Sequence, residues 1–368
     1  MSRTVTDGLT RFSAVWSAAK GDDYMSAASY AVSAKARSKY GRFLTERDYS
    51  NILACQSVAE VMVYLKAHTH YASVLSDVNE RDVHRGRLEQ LLRQYLFNEF
   101  DSLCRFDTGV SAGFSRYVIE KTEVEQIIRF LVLLNANSTE KFIFQFPGFL
   151  SKHTEIDVYK LANARNYNEF LNALSNTTYY DLLKKFKPDE KGRLPVSDME
   201  NELYAHVLKH MRELIDKRTK GSEQRELRAI FRTINDYSIF SRILRLKKYY
   251  DLPPEVIRAN MLPEYSNLSS RLVDRMCAAE SSAEVFQIMQ STNCGRLIGK
   301  IGYNYAGDIG PRVQYHVAKR YIHFSSNPSV VMISFMFLSE TELMNVISLI
   351  EGIRYQIDPK TIQSILIR

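Results

Sequence analysis

The stretch that decides the fold is YSNILACQSVAEVMVYLKAHTHYASVL, residues 49–75, because the chain contains a version of it three times. Aligned without gaps, it matches in character residues 158–184 at an offset of 109 and residues 273–299 at an offset of 224. Apolar residues share columns in all three copies, for example Ile52, Leu161 and Met276. Self-similarity of this kind is typical of proteins built from repeated supersecondary units. The sequence therefore predicts three similar lobes.

Each copy has the pattern of a helix, a break and a second helix with an N-terminal cap. The first apolar columns are spaced by three, as one face of a helix requires. A capping residue then stands three positions before a glutamate, which is the spacing of a capping box. The pairs are Ser57 and Glu60, Asn166 and Glu169, and Ser281 and Glu284. We interpret these glutamates as supports for their own helix starts, not as catalytic groups.

Longer helices are predicted after each copy, at Arg87–Phe100, Met199–Ile215 and Arg312–Phe324. Apolar stripes with helical spacing occur in residues 88–96, 124–134 and 343–350, and Glu123, Glu125 and Arg129 lie off the second stripe. The 15 glycines and nine prolines are few for 368 residues, which indicates few turns. The predicted fold class is all-α.

The predicted domain organisation is an N-terminal extension followed by three helical lobes. The extension covers residues 1–23, and the lobes cover residues 24–148, 149–262 and 263–368. The boundaries are placed at loops near Phe146–Phe149 and Leu262–Tyr265.

Composition restricts the class of protein. Hydrophobic residues make up 45% of the chain, which is enough for a packed core. The four cysteines lie far apart and form no C-x-x-C pair, so we expect a reducing, cytoplasmic compartment. The longest apolar run, Val330–Leu338, has nine residues, so we expect membrane association only through a partner. The net charge of +7 favours an acidic partner.

Candidate metal ligands are few. His206 and His210 have the i, i+4 spacing that lets two imidazoles share a metal, but the glutamate of a zinc-protease helix and a third ligand are missing. His68 and His70 fall in a predicted break. Asp22 and Asp23 lack the further aspartate that would hold magnesium. The sequence predicts no metal site, no catalytic residue and no cofactor.

A glycine cluster is the one other motif with chemical interest. It consists of Gly295, Gly299, Gly302, Gly307 and Gly310. Residues 297–302, LIGKIG, resemble the Gly-x-x-Gly loop of nucleic-acid-binding KH domains, although no strands surround them. A phosphate-binding P-loop is excluded because Ile301 follows Lys300 where Ser or Thr is needed. We interpret the cluster as an inter-helix loop.

Three further segments carry a family resemblance. They are YAVSAKARSKY at residues 30–40, ILRLKKYYDLP at residues 243–253 followed by NMLP at 260–263, and FMFLSETELMNVISLIEGIRY at residues 335–355. In this order and spacing they resemble the funnel-shaped central-stalk component of V/A-type rotary ATPases and ATP synthases, which is the d subunit in eukaryotes and the C subunit in archaea and bacteria. The resemblance covers the chain from about residue 24 to its C-terminus.

The resemblance implies a funnel of three helical lobes in a pseudo-threefold arrangement. The funnel would sit on the membrane rotor ring and hold the end of the central stalk, so that torque passes between the ATP-handling head and the ion-translocating ring. The implied protein is non-catalytic and needs no cofactor. Its implied partners are the stalk subunits and the ring, and its implied location is peripheral, at the cytoplasmic face of the membrane.

Two helix ends are candidate partner contacts. Both end in a basic turn with a tyrosine before a proline, and their residues are Arg245, Lys247, Lys248, Tyr249, Arg354 and Tyr355. Basic clusters also occur at residues 184–187, 217–220 and 242–248, where solvated helix faces are the plain interpretation. The alternative that these clusters leave open is a basic helical-repeat module that binds nucleic acid.

Overall fold

The computed structural model describes residues 28–79, 84–106, 110–142, 148, 150–249, 252–301 and 306–368. Within those ranges the protein is helical and contains no strand, which confirms the all-α prediction. The predicted N-terminal extension, Asp22, Asp23, Gly302 and most of the Phe146–Phe149 loop lie outside the described residues.

The described residues form eighteen α-helices, most of which are short. In chain order they are α1 (28–40), α2 (Glu46–Leu53), α3 (Val58–His68), α4 (Ala72–Leu75), α5 (Arg85–Cys104), α6 (Phe114–Asn135), α7 (Val158–Asn163), α8 (Tyr167–Ala173), α9 (Thr178–Leu183), α10 (Val196–Arg218), α11 (Gly221–Tyr249), α12 (Pro254–Ala259), α13 (Ser270–Ala278), α14 (Ser282–Gln290), α15 (Asn293–Ile301), α16 (Ile309–Phe324), α17 (Pro328–Arg354) and α18 (Pro359–Ile365). The helices predicted after each repeat copy are confirmed as α5, α10 and α16.

The six longest of these helices form three antiparallel hairpins, α5–α6, α10–α11 and α16–α17. In α10–α11 two ion pairs show the direction: Arg228 and Arg242 of α11 bind Asp216 and Glu200 of α10, respectively. Each helix of the six contacts the next one in chain order, and α17 contacts α5. The three hairpins therefore close a ring of helix–helix contacts.

One end of this ring is closed by apolar side chains. A central cluster at the hairpin-turn end takes buried residues from α1 and from all six ring helices. Three aromatic rings meet in it, one from each hairpin: the centroid of Phe231 lies 5.5 Å from that of Tyr117 and 6.0 Å from that of Phe337. Such edge-on aromatic pairs contribute roughly 0.5–1.5 kcal/mol each beyond their buried area.

The short helices form three outer groups, each with its own apolar cluster. Helices α2–α4 and α18 pack on α17 and α5, helices α7–α9 pack on α6 and α10, and helices α12–α15 pack on α11 and α16. Each outer group thus joins the second helix of one hairpin to the first helix of the next. Each of these three clusters takes residues from two of the predicted lobes. The clusters therefore do not divide the chain at the predicted lobe boundaries, and those boundaries stay predictions.

The repeated capping pattern is confirmed in all three outer groups. The side chains of Ser57, Asn166 and Ser281 accept hydrogen bonds from the backbone N–H of the glutamate three residues later, at 3.2, 3.0 and 3.2 Å. The glutamate carboxylate in turn accepts from the N–H of the residue before the cap, at 2.8 Å in each copy. Glu60, Glu169 and Glu284 therefore support their own helix starts, as predicted.

A second repeated feature was not foreseen from the sequence: the second helix of each hairpin has a buried carboxylate that accepts hydrogen bonds from a distant loop. Glu123 of α6 is 1% exposed and accepts hydrogen bonds from Thr154 Oγ1 at 2.6 Å and Tyr179 OH at 2.7 Å. Asp236 of α11 accepts from Asn267 N at 2.7 Å and from the hydroxyl of Ser266. Glu123 thus ties the loop before α7 to the ring, and Asp236 ties the loop between α12 and α13 to the ring.

Glu342 of α17 is the third such carboxylate. It accepts from Leu44 N at 2.6 Å and from Tyr71 OH at 3.0 Å, which ties the loop before α2 and the start of α4 to the last ring helix. His70, Tyr179 and Cys294 occupy one column of the repeat, and each contacts its carboxylate, at 3.2, 2.7 and 3.5 Å. The three outer groups are thus attached in the same way.

The inter-helix loop predicted for the glycine cluster is wrong for the described part of that segment. Gly295 and Gly299 lie in α15, Gly307 in a 3-10 turn and Gly310 in α16. A Cβ on Gly295 would lie 2.2 Å from the carbonyl oxygen of Met289, so glycine permits the tight step from α14 into α15. The segment is helical despite its glycines because helix α15 packs an apolar face, which includes buried Ile298, into the cluster of the third outer group.

Helix α17 departs from the expectation drawn from uninterrupted apolar runs. Helix α17 is long enough and, on average, apolar enough to cross a membrane, although polar residues interrupt its apolar runs. However, 83% of its most apolar stretch is buried inside the described protein. We therefore describe α17 as the core helix of the ring.

A pair of glutamates two residues apart on α6 tests the role of the buried carboxylates. We expect Glu123→Ala to lower the free energy of unfolding by about 3 kcal/mol, because the hydroxyls of Thr154 and Tyr179 lose their acceptor in a buried site. Glu125 is exposed, so Glu125→Ala should change it by less than about 0.5 kcal/mol. Urea denaturation measures the free energy of unfolding of both variants. Equal effects would contradict the role of Glu123 in holding the outer group on the ring.

Candidate partner-binding cavity

A cavity that is partly open to solvent lies between α5, α6 and α17. Its volume is about 590 Å³. Its lining begins at Phe100 and Met336, which belong to the central cluster, and continues toward the N-terminus of α5 and the C-terminal half of α6. The cavity therefore rests on the closed apolar end of the ring and extends away from the hairpin turns.

The walls of the cavity carry charges of both signs. The basic residues are Arg85, Arg93, Lys121 and Arg129, and the acidic residues are Glu89, Glu125 and Glu340. They arise from i, i+4 spacing, which places residues 85, 89 and 93 on one face of α5 and residues 121, 125 and 129 on one face of α6. Glu89 binds both neighbours on α5, at 2.9 Å from Arg85 and 2.8 Å from Arg93.

An ion pair crosses the cavity from α6 to α17. Lys121 Nζ lies 3.1 and 3.0 Å from the two carboxylate oxygens of Glu340. Desolvation disfavours the charge on Lys121, but the acidic neighbours, Glu340 first, outweigh it and raise the pKa of Lys121. Desolvation in the cavity wall also raises the pKa of Glu125. The wall is thus a water-accessible but partly desolvated surface, in which an added charge would interact strongly.

One polar group in the wall has no partner among the described residues. Gln126 is 4% exposed, and its side-chain carbonyl oxygen Oε1 accepts no hydrogen bond there. Leaving a buried acceptor unpaired costs roughly 1–3 kcal/mol. Because this oxygen is itself buried, it is an internal cost of folding and is not a surface that a partner in the cavity can reach.

The residues predicted as partner contacts lie outside this cavity. Arg245 and Lys248 are exposed near the C-terminus of α11, Lys247 is half-buried, and the side chain of Tyr249 lies outside the described residues. The other two candidates end α17, where the guanidinium of Arg354 lies 5.1 Å above the ring of Tyr355. Tyr355 is 64% exposed.

The two predicted contact segments belong to different outer groups. The end of α11 packs with α12–α15, whereas the end of α17 packs with α2–α4. The structure does not bring the two segments together, and their role in partner contact stays a prediction.

The histidines singled out by spacing have protein partners. His210 Nδ1 lies 2.8 Å from Glu120 Oε2, and burial lowers the pKa of His206. His70 lies in the break after α3, as predicted, whereas His68 is the last residue of that helix. Within the described ranges no group of three or more His, Cys, Asp or Glu side chains is placed to hold a metal.

The basic clusters pair with nearby acids. Lys184 lies 2.6 Å from Asp181, Lys185 lies 2.9 Å from Glu202, and Lys217 lies 3.3 Å from Glu213. Ion pairs of this kind are typical of solvated helix faces, which was the plain interpretation of these clusters.

The fold and the cavity define a class: an all-helical repeat protein whose long helices form a ring beside a charged cavity. The chain belongs to the ATP synthase (C/AC39) subunit family, whose model matches residues 32–365. This confirms the resemblance found in the sequence.

A curated relative supports the family at lower coverage. The chain is 25% identical over 231 residues to the C subunit of the A-type ATP synthase of Methanosphaera stadtmanae. The match covers 61% of this chain but 57% of the relative's own length. Neither comparison supports the nucleic-acid alternative that the basic clusters left open. The separate Gly-x-x-Gly segment begins within helix α15.

The unpaired oxygen of Gln126 predicts an unusual stability effect. We expect Gln126→Met to raise the free energy of unfolding of the isolated chain by about 1 kcal/mol, because it removes a buried unpaired acceptor at similar volume. Gln90 lines the same cavity but is only half-buried, so Gln90→Met should be close to neutral. Thermal and urea unfolding measure both, and a destabilised Gln126→Met would show that the carbonyl is paired in solution.

Proposed function

We propose that this chain is a non-catalytic rotor component of a V/A-type ATPase or ATP synthase, coupling the central stalk to the membrane ion-translocating ring. The observation that carries the proposal is a charged cavity beside a closed ring of long helices, in a chain of the ATP synthase (C/AC39) family. Three similar lobes in a pseudo-threefold funnel, on the cytoplasmic face of the membrane, are part of this proposal.

The cavity is the surface that we assign to the end of the central stalk. Its walls alternate in charge, and its ion pairs are half-exposed, so a polar partner can exchange them for its own charges at low cost. Complementary charges favour one orientation of the partner, as a coupling joint requires.

Torque transmission needs a stiff body. The three buried carboxylates join each outer group to the ring through hydrogen bonds from loops that are far away in sequence. Packed interiors and buried, fully paired polar groups resist deformation, so a load at the cavity would pass to the hairpin turns.

The hairpin-turn end is the surface that we assign to the membrane ring. Phe106 and Phe324 are 64% and 84% exposed there, and Lys35 lies 5.7 Å above the ring of Phe106. Arg37 of α1 donates to the carbonyl oxygens of Ile322 at 2.7 Å and Ser325 at 2.5 Å, which fixes the end of α16 that presents Phe324. Exposed aromatic side chains beside fixed cations are typical of protein interfaces.

Blocking the cavity tests the stalk assignment. We expect Met344→Trp to weaken binding of purified stalk subunits at least about tenfold, because Met344 lines the cavity and is 52% exposed, so an indole there occupies partner space without a clash in the core. Isothermal titration calorimetry measures the dissociation constant.

The matched control for this variant is Val132→Trp. Val132 is equally exposed, at 53%, but lies on α6 outside the cavity lining. Unchanged binding by Met344→Trp, or equal loss in both variants, would remove the cavity as the stalk site.

Removing the exposed aromatics tests the ring assignment. We expect the double variant Phe106→Ala, Phe324→Ala to bind the isolated membrane ring at least about tenfold more weakly while stalk binding stays unchanged, because the side chains lie at the hairpin-turn end. Tyr159→Ala, which removes an 81% exposed ring from α7, is the control. Ring binding that survives the double variant would place the interface elsewhere.

A further inference from the structure

A histidine and a glutamate share a buried site where the chain's first outer group meets its last ring helix. His70 Nε2 lies 3.2 Å from Glu342 Oε1, and Glu342 is 4% exposed. The other ring nitrogen of His70, Nδ1, lies 3.2 Å from the backbone carbonyl oxygen of Arg42. The imidazole is packed against the rings of Phe43 and Tyr71, with centroid distances of 5.8 and 4.1 Å.

These contacts determine which atoms of His70 and Glu342 carry hydrogens. A carbonyl oxygen can only accept, so Nδ1 of His70 carries a hydrogen and donates it to Arg42. Between Nε2 and Glu342 Oε1 a hydrogen bond then requires one further proton, either on the carboxyl group or on the imidazole. In both forms the pair as a whole is neutral. Without that proton the lone pair of Nε2 faces a carboxylate at 3.2 Å, which is repulsive in a buried site.

The two equivalent sites lack this property. In the same column of the repeat, Tyr179 donates a phenolic hydrogen to Glu123, and the thiol of Cys294 lies 3.5 Å from Asp236. Both groups bring their own hydrogen and leave the carboxylate free to stay ionised. Only the copy with His70 needs a proton that solvent can remove near neutral pH.

The site also closes the ring. Through Leu44 and Tyr71, Glu342 joins residues at the start of the described chain to α17, across 298 and 271 positions of sequence. Leu343, the next residue, belongs both to the first outer cluster and to the cavity lining. A loosened contact here would therefore loosen the wall of the cavity between α5 and α17.

We propose that His70 and Glu342 form a shared-proton latch that holds α2–α4 against α17 and releases them as the pH rises. This inference does not depend on the coupling role, because it concerns the isolated chain.

The direction of the pH dependence follows from how strongly the closed and the open state of this contact bind protons. Burial raises the pKa of Glu342 to about 8, so its contribution to closure is complete below its ordinary pKa near 4.5 and is lost as the pH rises through about 8. Burial lowers the pKa of His70, so its contribution acts in the opposite sense and weakens closure at acidic pH. Between about pH 6.5 and 8.5 the glutamate dominates, and we expect local opening to increase about tenfold.

Other charged and titratable groups surround the pair. They are Lys39 and Tyr40 of α1, Arg42 of the following turn, Asp48 and Tyr49 of α2, Tyr71 at the start of α4, Tyr95 and Glu99 of α5, Tyr315 of α16, and Arg368 at the C-terminus. Burial raises the pKa of Tyr71 and raises that of Tyr95 to about 12. Desolvation opposes the charge on Asp48, but hydrogen bonds from Thr45 outweigh it and lower its pKa. Lys39 and Glu99 pair with each other.

Hydrogen exchange on the full chain at pH 6.5 and 8.5 tests the latch, after correction for the intrinsic exchange rate. We expect the opening constant of α2–α4 to rise about tenfold relative to that of α7–α9 and α13–α15, which have the tyrosine and cysteine versions of the site. Glu342→Gln should abolish this rise, because an amide can accept from Leu44 and donate to His70 at every pH.

Glu340→Gln is the matched control, since Glu340 lies on the same helix but faces the cavity, and it should keep the tenfold rise. If Glu342→Gln does not fold, ¹⁵N NMR of histidine-labelled wild-type chain provides the second measurement: a neutral His70 with hydrogen on Nδ1 at pH 7 agrees with the latch. Equal opening at both pH values in the wild type, or a rise that persists in Glu342→Gln, overturns the proposal.

Discussion

The structure depends on one type of contact, a buried carboxylate on the second helix of each hairpin. Glu123, Asp236 and Glu342 each accept hydrogen bonds from a loop that precedes or lies within an outer group of short helices. A carboxylate is costly to bury, and the cost is offset only when donors satisfy its oxygens. Each carboxylate therefore determines where its loop lies. Because α17 binds the first outer group, the three contacts close the ring.

Because the helices close into a ring, the same helices pack apolar side chains at one end and border a polar cavity farther along. Near the hairpin turns, rings from three ring helices meet, those of Tyr117, Phe231 and Phe337. Farther along, the outer groups lie between consecutive hairpins, and the inward faces of α5, α6 and α17 border a cavity instead of each other. Charged side chains occupy these faces because water reaches them. A stiff closed end and a polar open cavity thus follow from one arrangement.

This arrangement suits a part that is held by partners at two ends. The cavity presents ion pairs such as Lys121 with Glu340, and the hairpin-turn end presents Phe106 and Phe324. Family membership supports this interpretation, since the chain matches the ATP synthase (C/AC39) family over residues 32–365. The carboxylate site that contains Glu342 has a titratable histidine, His70, at the point where the ring closes.

The sequence alone determined the helical class, the positions of α5, α10 and α16 and the three capped repeats, because apolar spacing and caps such as Ser57 with Glu60 act within one or two turns. It did not distinguish buried Glu123 from exposed Glu125, and it assigned the glycines of α15 to a loop. It also gave no sign of the cavity. Those features were decided by tertiary structure, because contacts such as Glu342 with Leu44 join residues 298 positions apart, and no local pattern specifies which distant donor a carboxylate meets.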